Sequence, residues 1–254
     1  MITIKSPAEI AIMQKASAIL VKAFQAVTPF IKSGVTTAKL DHIIHKTIEN
    51  HGAVPSFLGY GGFPAASCIS VNDTLIHGIP SETEILSDGD LVSIDIGVYY
   101  EGMHVDAART FGIHLSTQAK HLMDTARESF FAALAFCKEG YRIGDISHAV
   151  EMRVRREGYG VVETFTGHGV GRDLHEDPAI PNFGKPGRGP RLRSGMTLAI
   201  EPMITLGSAD VHILEDGWTV KTVDGQLAAH YENTVLITAG EPLVLTMSDE
   251  ADNE

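Results

Sequence analysis

Residues recur along this chain at a fixed distance. Phe30 and Phe136, Lys32 and Lys138, Gly34 and Gly140, His42 and His148, Gly52 and Gly158, Gly89 and Gly195, and Ile94 and Ile200 all lie 106 positions apart. One offset held from Phe30 to Ile94 points to two halves built on one plan, packed about a pseudo-twofold axis. The same offset lays Asp95 on Glu201. After a further 20 residues, at offset 126, His104 falls on His230 and Asp106 on Glu232.

Local signals repeat with the offset. Ser6-Pro7-Ala8-Glu9 is a capping box with proline at the first helical position, and Ile12, Ala16, Ile19, Leu20, Ala23 and Phe24 follow at helical spacing. A second helix is predicted after Gly34-Val35-Thr36-Thr37, carrying Leu40, Ile43, Ile44 and Ile48 and stopping near Gly52. Past the Gly/Pro-rich stretch Leu58 to Pro64, alternation predicts strands at Ala66 to Val71, Leu91 to Tyr99 and Met103 to Phe111. The second half repeats this with a helix containing Leu122, Ala126 and Phe130, and another from Ile146 to Arg155. A Gly/His-rich stretch and strands at Met196 to Ile204 and His230 to Ile237 follow. The expected fold is α+β, with pseudo-twofold halves sharing a central antiparallel sheet and the helices outside on one face. The expected boundaries are one domain over 1–247, halves 6–113 and 114–247, and a disordered acidic tail over 248–254.

Composition narrows the function classes. A chain of 254 residues with 44% apolar content buries a full core, while a net charge of −12 disfavours DNA and anionic membranes, which need clustered cations. No stretch reaches about 18 uninterrupted apolar residues, and the start lacks a basic region followed by an apolar one, so a soluble protein is expected. Cys68 and Cys137 form no C-x-x-C pattern, which suits a reducing, cytoplasmic setting. One basic cluster, Lys185, Arg188, Arg191 and Arg193, lies in a Gly/Pro-rich loop. It is open to two readings, a contact with ribosomal RNA or a solvated loop.

Acids stand where strands should be apolar. In Leu91-Val92-Ser93-Ile94-Asp95-Ile96-Gly97 an unpaired buried carboxylate would cost several kcal/mol. A hairpin turn at Glu101-Gly102 sets Asp106 opposite Gly97 and Asp95 opposite Ala108, so both acids share a face, about 7 to 8 Å apart along the diagonal. Glu201 in Leu198-Ala199-Ile200-Glu201 and Glu232 in His230-Tyr231-Glu232 repeat the anomaly. Each alone reads as a salt bridge or a strand-end acid; four at duplicated positions call for cations. His168, in Thr166-Gly167-His168-Gly169-Val170-Gly171, offers a nitrogen ligand flanked by glycines. That stretch lacks the Lys-Ser or Lys-Thr of a P-loop and the full G-x-G-x-x-G of a dinucleotide site.

Asp95, Asp106, His168, Glu201 and Glu232, in the contexts S-I-D-I-G, H-V-D-A-A-R-T, T-G-H-G-V-G-R-D-L-H-E-D-P, A-I-E-P-M and H-Y-E-N-T, resemble the dinuclear pita-bread metallopeptidases of the creatinase/aminopeptidase type. Within them the chain is similar to bacterial type I methionine aminopeptidases, from about Ser6 to Thr246. The sequence carries no long insertion between His168 and Glu201, and neither a separate N-terminal domain nor a Cys-rich extension is expected.

The resemblance implies two divalent ions. By that resemblance Asp106 and Glu232 would bridge them, Asp95 would ligate one, and His168 with Glu201 the other. Glu201 would also shuttle a proton to the leaving amine, His175 would stabilise the developing oxyanion, and His77 would hold the substrate near the scissile amide. Tyr60, Phe63, Cys68 and Trp218 match a methionine pocket, whereas Phe57 and Leu174 depart from the pattern there. His104 and His230, each two residues before a bridging acid, are candidates to stand behind the ligands. His42, His45, His51, His114, His121, His148 and His212 read as structural or solvated.

The implied activity is removal of the initiator methionine from nascent chains whose second residue is small, by a cytoplasmic monomer. A dinuclear X-Pro peptidase and a non-catalytic peptide-binding module are the alternatives. Mn, Fe(II), Co and Zn all suit these donors.

Overall fold

The computed structural model describes residues 1–247, so the acidic tail expected at 248–254 lies outside the described residues. The first half runs α1 (Pro7–Val27), α2 (Thr37–Asn50), β1 (Val54–Pro55), β2 (Ser67–Val71), β3 (Thr74–Ile76), β4 (Leu91–Tyr100) and β5 (Met103–Gly112). The second begins with α3 (Thr117–Leu134), α4 (Ile143–Arg156), β6 (Gly160–Val161), β7 (Thr166–Gly169) and β8 (Glu176–Pro181). It continues through β9 (Thr197–Ile200), β10 (Met203–Thr205), β11 (Val211–Ile213), β12 (Val220–Thr222), β13 (Ala228–His230), β14 (Asn233–Leu236) and β15 (Leu243–Val244).

Helix starts follow from their caps. Ser6 Oγ accepts from Glu9 N–H while the Glu9 carboxylate accepts from Ser6 N–H at 2.8 Å, which closes the box read from the sequence. By length and composition α1 is apolar enough to cross a membrane. Its apolar side is spent on the core instead: Met13, Ala16, Leu20, Ala23 and Val27 are fully buried, and α1 packs on α2, β4 and β5. A second core lies under α3 and α4, where Phe130, Ile146, Val150 and Val154 meet Leu198, Ile200 and Val235.

The offset of 106 holds to the residue in part of the fold, while β2 and β7 depart from it, since Ser93 pairs with Ser70 where Ala199 pairs with His168. Starts and ends of α2 and α4, both residues of β1 and β6, and the starts of β4 and β9 are all spaced by it. Isolated bridges obey it too: Thr36 pairs with Ile85, and Arg142 with Arg191. In the last strand, however, hydrogen bonding overturns the offset of 126. Gly89 donates to Ile113 O where Gly195 donates to Ile237 O, and β4/β5 pairs Leu91 with Gly112 where β9/β14 pairs Thr197 with Leu236. Both relations require 124. Ala108 therefore corresponds to Glu232 and Asp106 to His230; the H-x-D and H-x-E motifs match as letters two positions out of structural register.

The axis passes between β5 and β14. Ala108 and Glu232 exchange backbone hydrogen bonds, Ala108 donating at 3.3 Å and Glu232 at 2.9 Å. On one side Thr234 Oγ1 accepts from Asp106 N–H at 2.9 Å and donates to Asp106 O at 2.8 Å. On the other, Thr110 Oγ1 does the same for His230, at 3.1 and 2.7 Å. The central sheet is thus no single backbone ladder: β1-β4-β2 with β5 forms one part, β15-β14-β9-β7-β8 the other, and threonine hydroxyls complete the seam. Two small sheets, β13-β10-β6 and β11-β12-β3, flank them.

Two predicted strands are interrupted. Met196 to Ile204 breaks into β9 and β10 at Glu201-Pro202, and His230 to Ile237 into β13 and β14 at Tyr231-Glu232. Pro202 has no N–H to give a ladder, yet register survives the gap because Tyr231 N–H donates to Pro202 O at 3.2 Å.

Candidate metal centre and active site

The β4/β5 hairpin has the register expected from its turn, with Asp95 facing Ala108 and Gly97 facing Asp106. Across the broken strands of the second half, Asn233 pairs with Ile200 and Met203 with His230, so Glu201 and Glu232 face each other directly. All four acids converge on the seam, where His168 from β7 joins them. Donor atoms of Asp106, His168 and Glu232 lie within 4.8 Å of one another. His168 Nε2 is 3.6 Å from Glu201 Oε1 and 4.0 Å from Asp106 Oδ2. Its Nδ1 sits 2.8 Å from Gly169 O, which takes the proton to Nδ1 and leaves the Nε2 lone pair toward the acids.

Burial raises the pKa of every acid in the cluster. Asp95 is pushed up to about 7, and a hydrogen bond to Asp106 partly offsets the loss of water. Asp106 is raised well above its ordinary value, through burial and then the charges of Asp95 and Glu201. Glu201 and Glu232 rise for the same two reasons, with Arg109 easing Glu232 slightly. Burial also lowers His168 and His230 to about 3, so neither imidazole supplies a compensating charge. Asp95 Oδ1, Asp106 Oδ1, Glu232 Oε1 and His230 Nε2 are buried without a hydrogen-bond partner. Hard oxygens with one or two neutral imidazoles are donors for divalent cations, and the partnerless atoms are what such ions would satisfy.

His230 stands in this cluster, its Nε2 3.7 Å from Glu201 Oε2 and 3.8 Å from Glu232 Oε2. His104 does not: its Nδ1 meets Ser56 Oγ at 2.9 Å and its ring lies on Tyr99. The structure separates these two histidines, which the sequence treats alike. His175 ends the turn after β7; its ring centroid is 4.2 Å from that of His168, and its Nδ1 is 2.8 Å from the Tyr60 hydroxyl. His77 follows β3 with φ of 58°, a conformation uncommon outside glycine and consistent with a side chain held for a purpose. Its ring meets Phe165 and Trp218 edge-on, and burial lowers its pKa to about 4.

Phe57, Phe63, Ala65, Cys68 and Leu174 form one buried apolar cluster, with Ile79 and Trp218 at its edge. Cys68 pairs with Asp95 across β2 and β4, which sets this cluster beside the acids. Burial and the Asp95 charge push the Cys68 thiol up, which disfavours the thiolate a nucleophile needs. Gly97 lets Phe57 approach: a Cβ there would lie 2.8 Å from the Phe57 ring. Trp218 is held in the β11/β12 hairpin by Asp216, whose Oδ1 accepts from Trp218 and Thr219 N–H. Tyr60 stands apart, 45% exposed and bonded to His175. Ala65, Ile79 and Phe165 escaped the sequence reading, since single apolar residues in loops, aromatic or not, carry no periodic signal of their own. Arg109, Thr110 and Thr234 lie inside the motifs quoted for the acids, and the structure gives them parts of their own. Arg109 donates to the Glu232 carbonyl at 2.6 Å and to Asn233 Oδ1 at 2.8 Å, under the Tyr231 ring.

A fold of two like halves with four acids and a histidine at the seam defines a class of divalent-metal peptidases. The chain belongs to metallopeptidase family M24, which it matches over residues 11–239. It is 50% identical over 248 residues to a methionine aminopeptidase from Clostridium perfringens, covering 97% of this chain and 99% of that one. The crystal structure of a methionine aminopeptidase from Thermotoga maritima superposes with a TM-score of 0.96 at 42% identity, covering 98% of this chain and all of that one. A prolidase from Pyrococcus furiosus shares the fold at a TM-score of 0.79 and 25% identity, and this chain spans only 66% of its length.

Proposed function

We propose that this chain is a methionine aminopeptidase that releases the N-terminal methionine of nascent proteins whose second residue is small. The observation that carries this is the adjacency of two features: buried carboxylate oxygens without a partner beside His168, and the apolar cluster joined to them through Cys68 and Asp95. Two divalent ions would be held by Asp95, Asp106, His168, Glu201 and Glu232. When bound, such ions supply a nucleophile at neutral pH and polarise the scissile carbonyl.

The remaining work falls to the chain. Phe57, Phe63 and Trp218 receive the methionine side chain, whose polarizable sulfur favours aromatic neighbours. Glu201 carries the proton from nucleophile to leaving amine. His175, with Nδ1 turned to Tyr60, presents Nε2 to the developing oxyanion. His77, neutral in its apolar setting, hydrogen-bonds the substrate near the scissile amide.

The basic loop supports a further part of the reading, transient contact with ribosomal RNA. Lys185, Arg188, Arg191 and Arg193 are all exposed. The loop is held to the start of α4, with Gly144 donating to Arg188 O, Ile143 to Pro190 O and Gly187 to Asp145 Oδ1. A monomer in the cytoplasm fits the two buried free cysteines.

Cleavage of Met-Gly-Met-Met against a Gly-Pro dipeptide tests the main reading. Fast release of methionine with slow Gly-Pro hydrolysis is expected, and the reverse preference would replace it with X-Pro peptidase activity. An Ala variant at the four basic positions should co-sediment less with ribosomes at low salt; unchanged co-sedimentation removes the RNA contact.

A further inference from the structure

The turn that carries His175 is braced by the first five residues of the chain. Glu176, next to His175 at the start of β8, has a buried carboxylate that gathers four donors. Its Oε1 accepts from the N–H of Arg172 at 2.8 Å and of Asp173 at 3.3 Å, wrapping the turn around it. Its Oε2 accepts from Lys5 Nζ at 2.5 Å and from the Thr3 hydroxyl. Lys5 is buried as deeply, its side chain only 1% exposed, and its own N–H donates to Gly195 O at 2.7 Å. Gly171 clears the way for it, since a Cβ there would lie 2.2 Å from Lys5 Cε. Arg172 adds a bond to Glu9 at the start of α1, at 2.7 Å.

On the other side of His175, Leu174 is 2% exposed within the apolar cluster. His175 therefore sits between two buried anchors, one apolar and one ionic, and Tyr60 fixes its ring. An apolar pair in place of Lys5 and Glu176 would fill the space without directing the Arg172 and Asp173 amides. Against a well-packed apolar pair a buried ion pair often adds no stability, and what this one supplies is the direction of its bonds. Thr3 also lines, with His168 and His175, an open groove of about 540 Å³ beside the centre.

We infer that Lys5 and Glu176 are positioning residues for His175, so that the N-terminal segment sets the geometry of oxyanion stabilisation from outside the metal centre. The inference rests on the role proposed for His175. It is tested by measuring kcat, KM and bound metal for Lys5→Met, His175→Ala and the double variant, with Lys5→Arg as the conservative control and melting curves to establish folding. Lys5→Met should lower kcat by about tenfold with KM and metal content nearly unchanged, Lys5→Arg should recover part of the loss, and Lys5→Met should add nothing in the His175→Ala background. Unchanged kcat, or a loss that adds to that of His175→Ala, overturns the inference. Should Lys5→Met fail to fold, Thr3→Val is read by the same criterion: a smaller fall in kcat that vanishes in the His175→Ala background supports it, and no fall or an additive one overturns it. If His175→Ala itself turns over normally, the oxyanion role is withdrawn and the inference with it. That result differs from failure of the brace alone, in which His175→Ala is slow and Lys5→Met is not.

Discussion

At Glu201 two demands meet in one side chain. Its oxygens face His168 and His230, and its proposed part in catalysis needs a carboxylate that holds and releases a proton. Glu201→Gln should leave a folded protein whose methionine release falls by at least about 10²-fold, because ligand charge and proton carrier are lost together; near-normal turnover would remove Glu201 from the chemistry. His175→Ala should lower kcat far more than it lowers bound metal, since an oxyanion partner acts in the transition state. Equal loss of metal and rate would make His175 a ligand. The acids were legible in the sequence because a carboxylate inside an apolar strand has no cheap structural explanation. His230 was not separable from His104: both stand two residues before an acid, and only the axis between β5 and β14 turns one toward Glu201 and the other toward Ser56.

Elements show where pattern reading succeeds and where it stops. The β4/β5 register followed from one turn, and the α1 cap from four residues, because both depend on neighbours in sequence. The seam between halves depends on residues 120 to 128 positions apart. There the repeated H-x-D and H-x-E letters suggest an offset that Thr110 and Thr234 contradict. Thr234→Val keeps the shape of the side chain but strips Asp106 N–H and O of their partner. A loss of about 1 to 3 kcal/mol of stability is expected by denaturant unfolding, with weaker metal binding because Asp106 loses its fixed backbone. A variant as stable as the parent, binding metal as tightly, would show that the hydroxyl seam is dispensable.

For the molecule as a whole, the cluster of raised carboxyl pKa values ties stability to pH and to metal. Asp95 lies at about 7 in the folded protein against an ordinary 3.8, so above pH about 4 the unfolded chain gives up a proton that the folded one retains. Unfolding thus becomes easier as pH rises from about 4 to about 7, and the upward shifts of Asp106, Glu201 and Glu232 add in the same direction. The metal-free protein should melt at progressively lower temperature across that window, judged on its own pH series. Added divalent metal should raise the melting temperature more at pH 7 than at pH 5, since binding requires the ionised ligands. A metal shift independent of pH would mean that ions bind away from these acids. The most direct measurement strips the protein with chelator, titrates back Mn, Fe(II), Co or Zn one at a time, and follows bound metal and methionine release from Met-Gly-Met-Met together. Two divalent ions should bind per chain, with release appearing as they load and both lost in Glu232→Ala; a stripped protein that cleaves at full rate, or one that binds none of the four metals, would contradict a dinuclear centre at the seam.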